Sequence, residues 1–545
     1  MKTVHMIGNA HLDPVWLWRR RDGIDAALAT ARSACDRLDE YPAFVFTCSS
    51  SWMHLQIEVI DPALFERIRR HVAAGRWQLV GGMVIEPDCN LLADISFRKQ
   101  LQFGTRYFVD RFSVRPGVGY NIDSFGHDAW LPSYLNDAGY DAYTFMRPAP
   151  DEKALPANIF RWQSPDGAEV AAFRLPHPYA TRPADIHENI ERAVAAVPEG
   201  IDHTMCFFGV GDHGGGPTRM QIEWILEHAD DDPGVRLLFS HPRAFFDAVA
   251  HTRDRWPVFR DEIQHHAIGC YAVERRIKTA MRRAEWSLLQ AERVLDALGC
   301  DDPSAEETLT RAWDDVLFNQ FHDILGGTCL EDANRTAAAE LETAGSMAES
   351  LLTRITRRAF REQAEPGHHK IIVYNPSSTP FCGLVRHEPW LDHDVNNIAY
   401  TLLDETGADV PFQRLCGSAV KDGSSAVLMA VSVPADGYRA IILKPESAEL
   451  RSVPPPPTAS SLSINTGAIA NDALTVRIDG DALNIGGWRL QLAIMDDPTD
   501  TWSHSDSNRF QGRHLRDIPF LQQPEIVEQG PLRAAWRTYG ECLRS

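Results

Sequence analysis

From Met1 to about residue 250, short β-rich runs alternate with helical patterns, and this alternation constrains the fold more than any other feature of the chain. The runs are Val4–Ile7, Phe44–Cys48, Trp77–Val80, Val118–Ile122, Tyr143–Met146, Val170–Arg174, Met205–Val210 and Val235–Phe239. Pro62–Ala74 and Phe97–Phe112 carry a helical period between them. Such a pattern predicts a largely parallel sheet, open or barrel-like. Ligands bind in these folds at the C-terminal ends of the strands. Asp13, Glu86, Asp88, Asp123 and Asp212 each fall just after a predicted strand, so these acids are expected to share one site.

The period then changes. Ile277, Met281, Ala284, Leu288, Ala291, Leu295 and Leu298 form one apolar helical stripe that Gly299 ends. Ser304 and Glu307 match a capping box opening a second helix, which carries Leu309, Trp313, Val316 and Leu317 inward. A third helix follows through Leu341, Ala344, Leu351 and Ile355, and the three predict a helical bundle. His322 is expected near the end of the second helix, before Gly326-Gly327. Beyond about residue 368 the helical period gives way to strands such as Ile371–Tyr374, Val427–Val433 and Arg439–Leu443, then Leu474–Ile478 and Trp488–Ile494. The polyproline run Val453–Thr458 reads as a linker or exposed loop. The expected divisions are therefore 1–260, 261–367, 368–452 and 453–545.

Composition narrows the class. A chain of 545 residues with 44% hydrophobic and 24% charged residues is an ordinary multidomain globular protein. A formal charge of −21 argues against nucleic acid and against an anionic membrane surface as partners. The ten cysteines form no C-x-x-C pair and read as reduced thiols, which disfavours a thiolate zinc site. The start of the chain shows no signal-peptide core and the chain has no run of about 18 apolar residues, so a cytoplasmic location is expected.

Four polar signatures carry the chemistry: His11-Leu12-Asp13-Pro14-Val15-Trp16, Asn121–His127, Gly211–Gly216 and Asn319–Asp323. The first, second and fourth supply imidazoles and carboxylates, a set that suits a zinc-like ion. On a loop leaving a strand, the i, i+2 spacing of His11 and Asp13 aims both at one side. Taken alone, His-x-Asp also fits a strand-end histidine capping a loop. Trp16 and Trp18 offer flat faces of the kind sugars stack on, although aromatic residues are more often core. Asp123 also fits, with less weight, a loop-forming Asx residue, and His127 reads as satisfying backbone groups. The glycines after Asp212 lack the ending of a phosphate-binding loop and read as close backbone approach to a bulky ligand beside a functional acid. Asp123 and Asp212 together make the carboxylate pair that glycoside hydrolysis requires.

With these signatures in order, and with Gly81–Asp88, Phe145-Met146-Arg147-Pro148 and Gln264–Tyr271 beside them, the chain resembles the family 38 glycoside hydrolases, the retaining α-mannosidases, over essentially its whole length. The wording is most similar to the bacterial and cytosolic branch. The resemblance implies an α/β multidomain protein: a β/α-barrel-like catalytic domain, a three-helix bundle, then β-sandwich domains. It implies that His11, Asp13, Asp123 and His322 bind one divalent ion, zinc, and that Asp123 is also the nucleophile. Asp212 is implied as the acid/base, and Trp16, Arg147 and Asp323 as substrate contacts. The implied substrate is a terminal α-mannoside within a mannose-containing glycan.

Family members usually run longer, and Asp496–Trp502 resembles only the opening of their large C-terminal β region. A fragment, a natural truncation or one half of a split protein would each look like this. The expectation is an exposed apolar face covered by a second copy, as a homo-oligomer, or by a complementing C-terminal chain. Two other functions fit the same residues. A zinc-dependent carbohydrate deacetylase would use the metal to activate water, and a glycan-binding protein would bind without turnover.

Overall fold

A computed structural model describes the chain except for His265 and residues 300–301, 362–368, 391–399, 418–424, 446–460, 481, 497–512, 519–523 and 539–545. His265 of the Gln264–Tyr271 motif, the polyproline run and residues 497–502 of the opening β segment lie outside the described residues. The described chain divides into two compact units, one made of residues 1–291 and 303–351, the other of 292–302 and the chain from 352 onward.

The first unit is built on ten strands: β1 (Lys2–Asn9), β2 (Phe46–Cys48), β3 (Trp77–Leu79), β4 (Val118–Asn121), β5 (Ala142–Phe145), β6 (Ile159–Gln163), β7 (Glu169–Arg174), β8 (His203–Phe208), β9 (Val235–Phe239) and β10 (Val258–Phe259). They form two sheets. In one, parallel ladders run β3-β2-β1-β8, with β9 also parallel to β1. The other has the order β10-β6-β7-β5-β4, and only β6–β7 is antiparallel. Single main-chain bonds link the sheets where Gly81 N–H donates to Val118 and Thr181 N–H to Gly209. Both sheets face one core: Ile7, Val80, Tyr120, Phe173, Met205 and Phe207 belong to the same buried cluster. Burial on both faces explains why β1 and β8 read as nearly continuous apolar runs.

The helices between these strands obey local rules. Pro62–Ala73 begins where Asp61 accepts the Leu64 N–H at 3.0 Å, with Pro62 in the first turn, and Leu64, Phe65, Ile68 and Val72 make its buried face. Arg275–Leu298 buries Ile277, Met281, Ala284, Leu288 and Ala291 as its stripe predicts, then turns Val294 inward in place of Leu295. A helix of 3.6 residues per turn drifts away from a strict seven-residue repeat, which accounts for the exchange. Gly299 stops it at φ +55°. Ala305–Asn319 starts after Ser304, but the Ser304 side chain makes no cap bond because its backbone is already helical (φ −94°, ψ −4°). His322 does not lie within that helix. It opens a separate short helix, His322–Gly326, which Gly327 ends at φ +71°. Glu331–Ala359 completes the helical region, and its Glu340 accepts Asn319 Nδ2 at 2.7 Å.

The second unit contains antiparallel sheets. Strands 369–375, 437–445 and 400–403 form one, and 381–387, 425–433 and 412–416 another. Ile371, Tyr400, Leu402, Val427, Met429, Val431 and Ile441 pack between them, as in a β-sandwich. A six-stranded antiparallel sheet follows within 463–518. Among the described residues no helix is long and apolar enough to cross a membrane, and six of the eight described cysteines, all free thiols, are buried.

Buried neutral histidines should make this fold acid-sensitive. His54 donates Nδ1–H to the Ser50 carbonyl at 2.8 Å and lies edge-on among Trp77, Phe108 and Phe112. Burial lowers its pKa to about 4. The unfolded chain therefore binds this proton first, so His54 contributes its stability above pH about 6.5 and loses it as the pH falls toward 4. The loss amounts to about 3 kcal/mol. Denaturant unfolding of His54→Asn, which keeps the donor but cannot titrate, should fall less steeply between pH 7 and 4 than the parent. Parallel curves would refute this assignment.

Candidate metal centre and active site

The C-terminal ends of the parallel strands meet the short helix that His322 opens, and the polar residues gather there. His11 and Asp13 follow β1, Asp123 follows β4, Arg147 follows β5, Tyr179 follows β7 and Asp212 follows β8. His11 Nε2 lies 2.7 Å from Asp13 Oδ1 and 3.9 Å from Asp123 Oδ2. His322 Nε2 lies 3.9 Å from Asp13 Oδ1 and 3.9 Å from Asp323 Oδ2. Ligand atoms of His11, Asp123 and His322 form one group within 4.8 Å of one another, and those of Asp13, His322 and Asp323 form a second. All five residues are buried.

This geometry fits a divalent cation. Tetrahedral ligands at bond lengths of about 2.1 Å sit about 3.4 Å apart, inside the range of these separations. Both ring nitrogens of His11, Asp13 Oδ1 and His322 Nε2 are buried and make no hydrogen bond of good geometry among the described residues. His11 Nε2 and Asp13 Oδ1 are within ion-pair distance, and His322 Nε2 faces the same Asp13 oxygen. The His322 ring stays neutral, since burial and the neighbouring His11 lower its pKa to about 4. Burial and the adjacent carboxylates raise Asp323 well above the usual range, while burial lifts Asp13 to about 6 against the pull of His11. Two imidazoles among crowded buried carboxylates are the donor set of a cation with N and O ligands.

Asp123 is held from both oxygens. Arg147 Nε donates to Oδ1 and the Tyr179 hydroxyl to Oδ2 at 3.2 Å. Burial pushes its pKa up, but Arg147, His11 and His322 together hold it well below the usual carboxylate range. Arg147 also donates to His266 Nε2 at 3.0 Å, and His266 Nδ1 lies 2.5 Å from Glu152 Oε1. Arginine has no acceptor, so His266 Nε2 accepts and its Nδ1 carries the proton.

Asp212 is half-buried beside this group. Its carbonyl accepts the Asp13 N–H at 2.8 Å, and Leu12 and His213 form a β-bridge. Its φ of +50° is a conformation that aspartate tolerates better than most residues. Some of the glycines around it are needed for packing within the protein. A Cβ on Gly209 would meet the Asn9 carbonyl at 2.2 Å, and one on Gly214 would meet Thr30 Oγ1 at 2.4 Å. Close approach to the protein itself requires these two, whereas Gly215 and Gly216 would meet nothing nearer than 3.4 Å. A cleft of about 340 Å³ opens beside Asp212, lined in part by Arg182, Asp185, Glu188, Asn189 and Arg192.

The remaining expected residues divide. Trp16 is half-buried, edge-on to Trp18 at 5.6 Å, while Trp18 Nε1 donates to the Asp13 carbonyl. Asp323 Oδ1 accepts Thr328 Oγ1 at 2.7 Å, which leaves Oδ2 toward His322. His127 is engaged with the Arg147 carbonyl and the Tyr143 hydroxyl, as a structural histidine. Asp88 does not join the group: its Oδ1 accepts the Asn90 and Leu91 N–H groups in a local turn. Position after a strand brings an acid to the rim, and the loop's own hydrogen bonds decide where it points. Tyr179 and Glu152 were not singled out in the sequence, since no local pattern distinguishes them from core and loop residues, and His266 entered only within the Gln264–Tyr271 motif, with no role attached.

Comparison with known proteins places these residues in a family. Residues 1–262 match the model of the glycosyl hydrolases family 38 N-terminal domain, and residues 265–358 match the alpha mannosidase middle domain. The human protein named Alpha-mannosidase 2C1 is 25% identical over 383 residues, which cover 68% of this chain and 36% of that protein. Alpha-mannosidase G of Dictyostelium discoideum is 28% identical, over 60% of this chain and 31% of its own length. The chain thus spans about a third of the length of these curated relatives. The crystal structure of an alpha-mannosidase from Enterococcus faecalis V583 superposes with a TM-score of 0.76 at 17% identity, covering 99% of this chain and 67% of that one, which establishes the shared fold. Through its N-terminal and middle domains, the chain belongs to the family 38 glycosyl hydrolases.

Proposed function

We propose that this chain hydrolyses terminal α-mannosides with retention of configuration, Asp123 acting as nucleophile and Asp212 as acid/base. The observation that carries the reading is the setting of Asp123: ionised, held on both oxygens by Arg147 and Tyr179, and facing His11 across the group that fits a cation. His11, Asp13, Asp123 and His322 would hold one divalent ion, zinc, with Asp323 close enough to contact either the ion or the sugar. When bound, the ion supplies Lewis-acid contacts that orient sugar hydroxyls.

In the first step an Asp123 oxygen forms a bond to the anomeric carbon as the glycosidic bond breaks. The Asp212 carboxyl gives its proton to the departing oxygen. In the second step Asp212 takes a proton from water, the water oxygen bonds to the anomeric carbon, and the Asp123 ester breaks. Retention by this route requires carboxylates about 5–5.5 Å apart. Trp16, half-buried beside Trp18, would contact the sugar, and the cleft beside Asp212 would receive the rest of a mannose-containing glycan.

Release of nitrophenol from an α-mannoside, with the anomer of the first product followed by NMR, tests the reading. Retention and loss of activity with a chelator are expected. An inverted product, or sugar binding without release, would refute it, and acetate release from an acetylated sugar would point to a deacetylase. Tyr179→Phe should lower kcat about 10–100-fold, because a hydrogen bond to a charged group is worth about 1.5–3 kcal/mol. An unchanged kcat would remove Tyr179 from the machinery.

A further inference from the structure

One buried glutamate outside the proposed ligand set lies against His11, His322 and the residue before Asp123. Glu86, in the loop after β3, is 4% exposed. Its Oε1 accepts Ser49 Oγ at 2.5 Å and lies 3.3 Å from His11 Nδ1. Its Oε2 accepts the N–H of Ile122, the residue before Asp123, at 3.0 Å. Its main-chain carbonyl lies 2.8 Å from His322 Nδ1.

We propose that Glu86 is the positioning residue of this centre, fixing which nitrogen of His11 and of His322 is offered to the metal and where Asp123 stands. The inference rests on the reading of His11, Asp13, Asp123 and His322 as a metal site. A carbonyl can only accept, so His322 Nδ1 carries the proton and Nε2 keeps its lone pair. Oε1 stands at ion-pair distance from His11 Nδ1 without a hydrogen bond of good geometry, and an ionised carboxylate there favours the tautomer with the proton on Nδ1 and the lone pair on Nε2. Both free Nε2 atoms then point at Asp13 and the acids around it. Groups that bond the far nitrogen of a ligating histidine set its tautomer and ring orientation. Glu86 does this for one imidazole with its side chain and for the other with its backbone. The Ile122 contact adds the strand that delivers Asp123, so β1, β4 and the short helix of His322 are tied to one residue.

Glutamine cannot replace it. Glu86 faces three donors: the Ser49 hydroxyl, His11 Nδ1–H and the Ile122 N–H. An amide offers one acceptor oxygen and turns N–H groups toward the others. If the amide nitrogen faces His11, it favours the tautomer that points N–H at the metal position. If it faces Ile122, two donors oppose each other next to Asp123.

Competition titration of zinc against a chromophoric chelator, on the whole chain, tests this. Glu86→Gln should weaken zinc binding about 10–100-fold, while circular dichroism of the metal-free variant matches the parent and the cobalt form keeps the parent's coordination number in its absorption spectrum. Parent affinity in folded Glu86→Gln would overturn the proposal, as would a lower coordination number, which would make Glu86 a ligand. Should Glu86→Gln fail to fold, Ser49→Ala serves instead: it frees one oxygen of Glu86 and should weaken zinc binding about threefold to tenfold. Parent affinity there would overturn the proposal equally. His322→Ala separates the two levels. If the parent binds no zinc, or His322→Ala binds it as tightly, the metal site itself is misread and the role of Glu86 falls with it. If only the Glu86 and Ser49 variants bind normally, the site stands and the role of Glu86 alone is wrong.

Discussion

Asp123→Ala should lose metal and turnover together, the largest effect expected of any single substitution in this chain. The carboxylate is shared: Oδ2 faces His11 Nε2 at 3.9 Å and accepts Tyr179, while Oδ1 takes Arg147. Removing it strips one anionic ligand from the metal group, deletes the proposed nucleophile, and leaves the half-buried Arg147 guanidinium with His266 as its remaining partner in the site. Loss of a nucleophile costs on the order of 10⁴–10⁶-fold in kcat. Metal analysis and steady-state kinetics on one preparation would check both halves. Full zinc occupancy with only a tenfold loss of rate would move the nucleophile to another acid, Asp13 and Asp323 being other carboxylates at the centre.

Asp212 should behave in the opposite way, losing hydrolysis while keeping the metal. Its structural contribution runs through its carbonyl, which accepts the Asp13 N–H and is retained by any substitution. Asp212→Asn is the cleaner variant than Asp212→Ala, because asparagine tolerates the φ of +50° that costs alanine about 1–2 kcal/mol. Loss of the proton donor should slow an unactivated mannosyl disaccharide about 10²–10⁴-fold. A nitrophenyl mannoside, whose leaving group needs little protonation, should suffer less in the first step. Equal losses on both substrates would place proton transfer elsewhere. Glu86 and Asp88 are other acids that the sequence puts after a strand, but the Glu86 oxygens accept from Ser49 and Ile122, and Asp88 is turned into its own loop.

Much of the scaffold was legible because it follows local periods. The strand at Val235–Phe239 and the helix from Pro62 to Ala73 fall almost where the residue pattern puts them. The errors have local causes too. Phe44 and Val45 precede β2 rather than entering it, since the pairing with β3 begins only at Phe46. The Ser304 cap fails on backbone conformation, not on residue type. His322 escapes the helix it was assigned to because Ala305–Asn319 ends before it and Phe321 (φ −52°, ψ +139°) turns the chain out of the helical region.

What the sequence alone determined is the architecture in outline and the kind of chemistry. Alternating strands and helices demand a parallel sheet, parallel sheets gather loops at one end, and the acids and imidazoles lie on those loops. The tertiary structure alone decided which of them meet. Glu86 and His322 are 236 positions apart and bond at 2.8 Å, while Asp88, two residues from Glu86, faces elsewhere. Tyr179, His266 and Glu152 gain their roles only through Asp123 and Arg147. The physical reason is one of range. Backbone periodicity is set by neighbours within a few residues, whereas the direction of a buried polar side chain is set by whichever donor or acceptor the packed fold brings within about 3 Å of it.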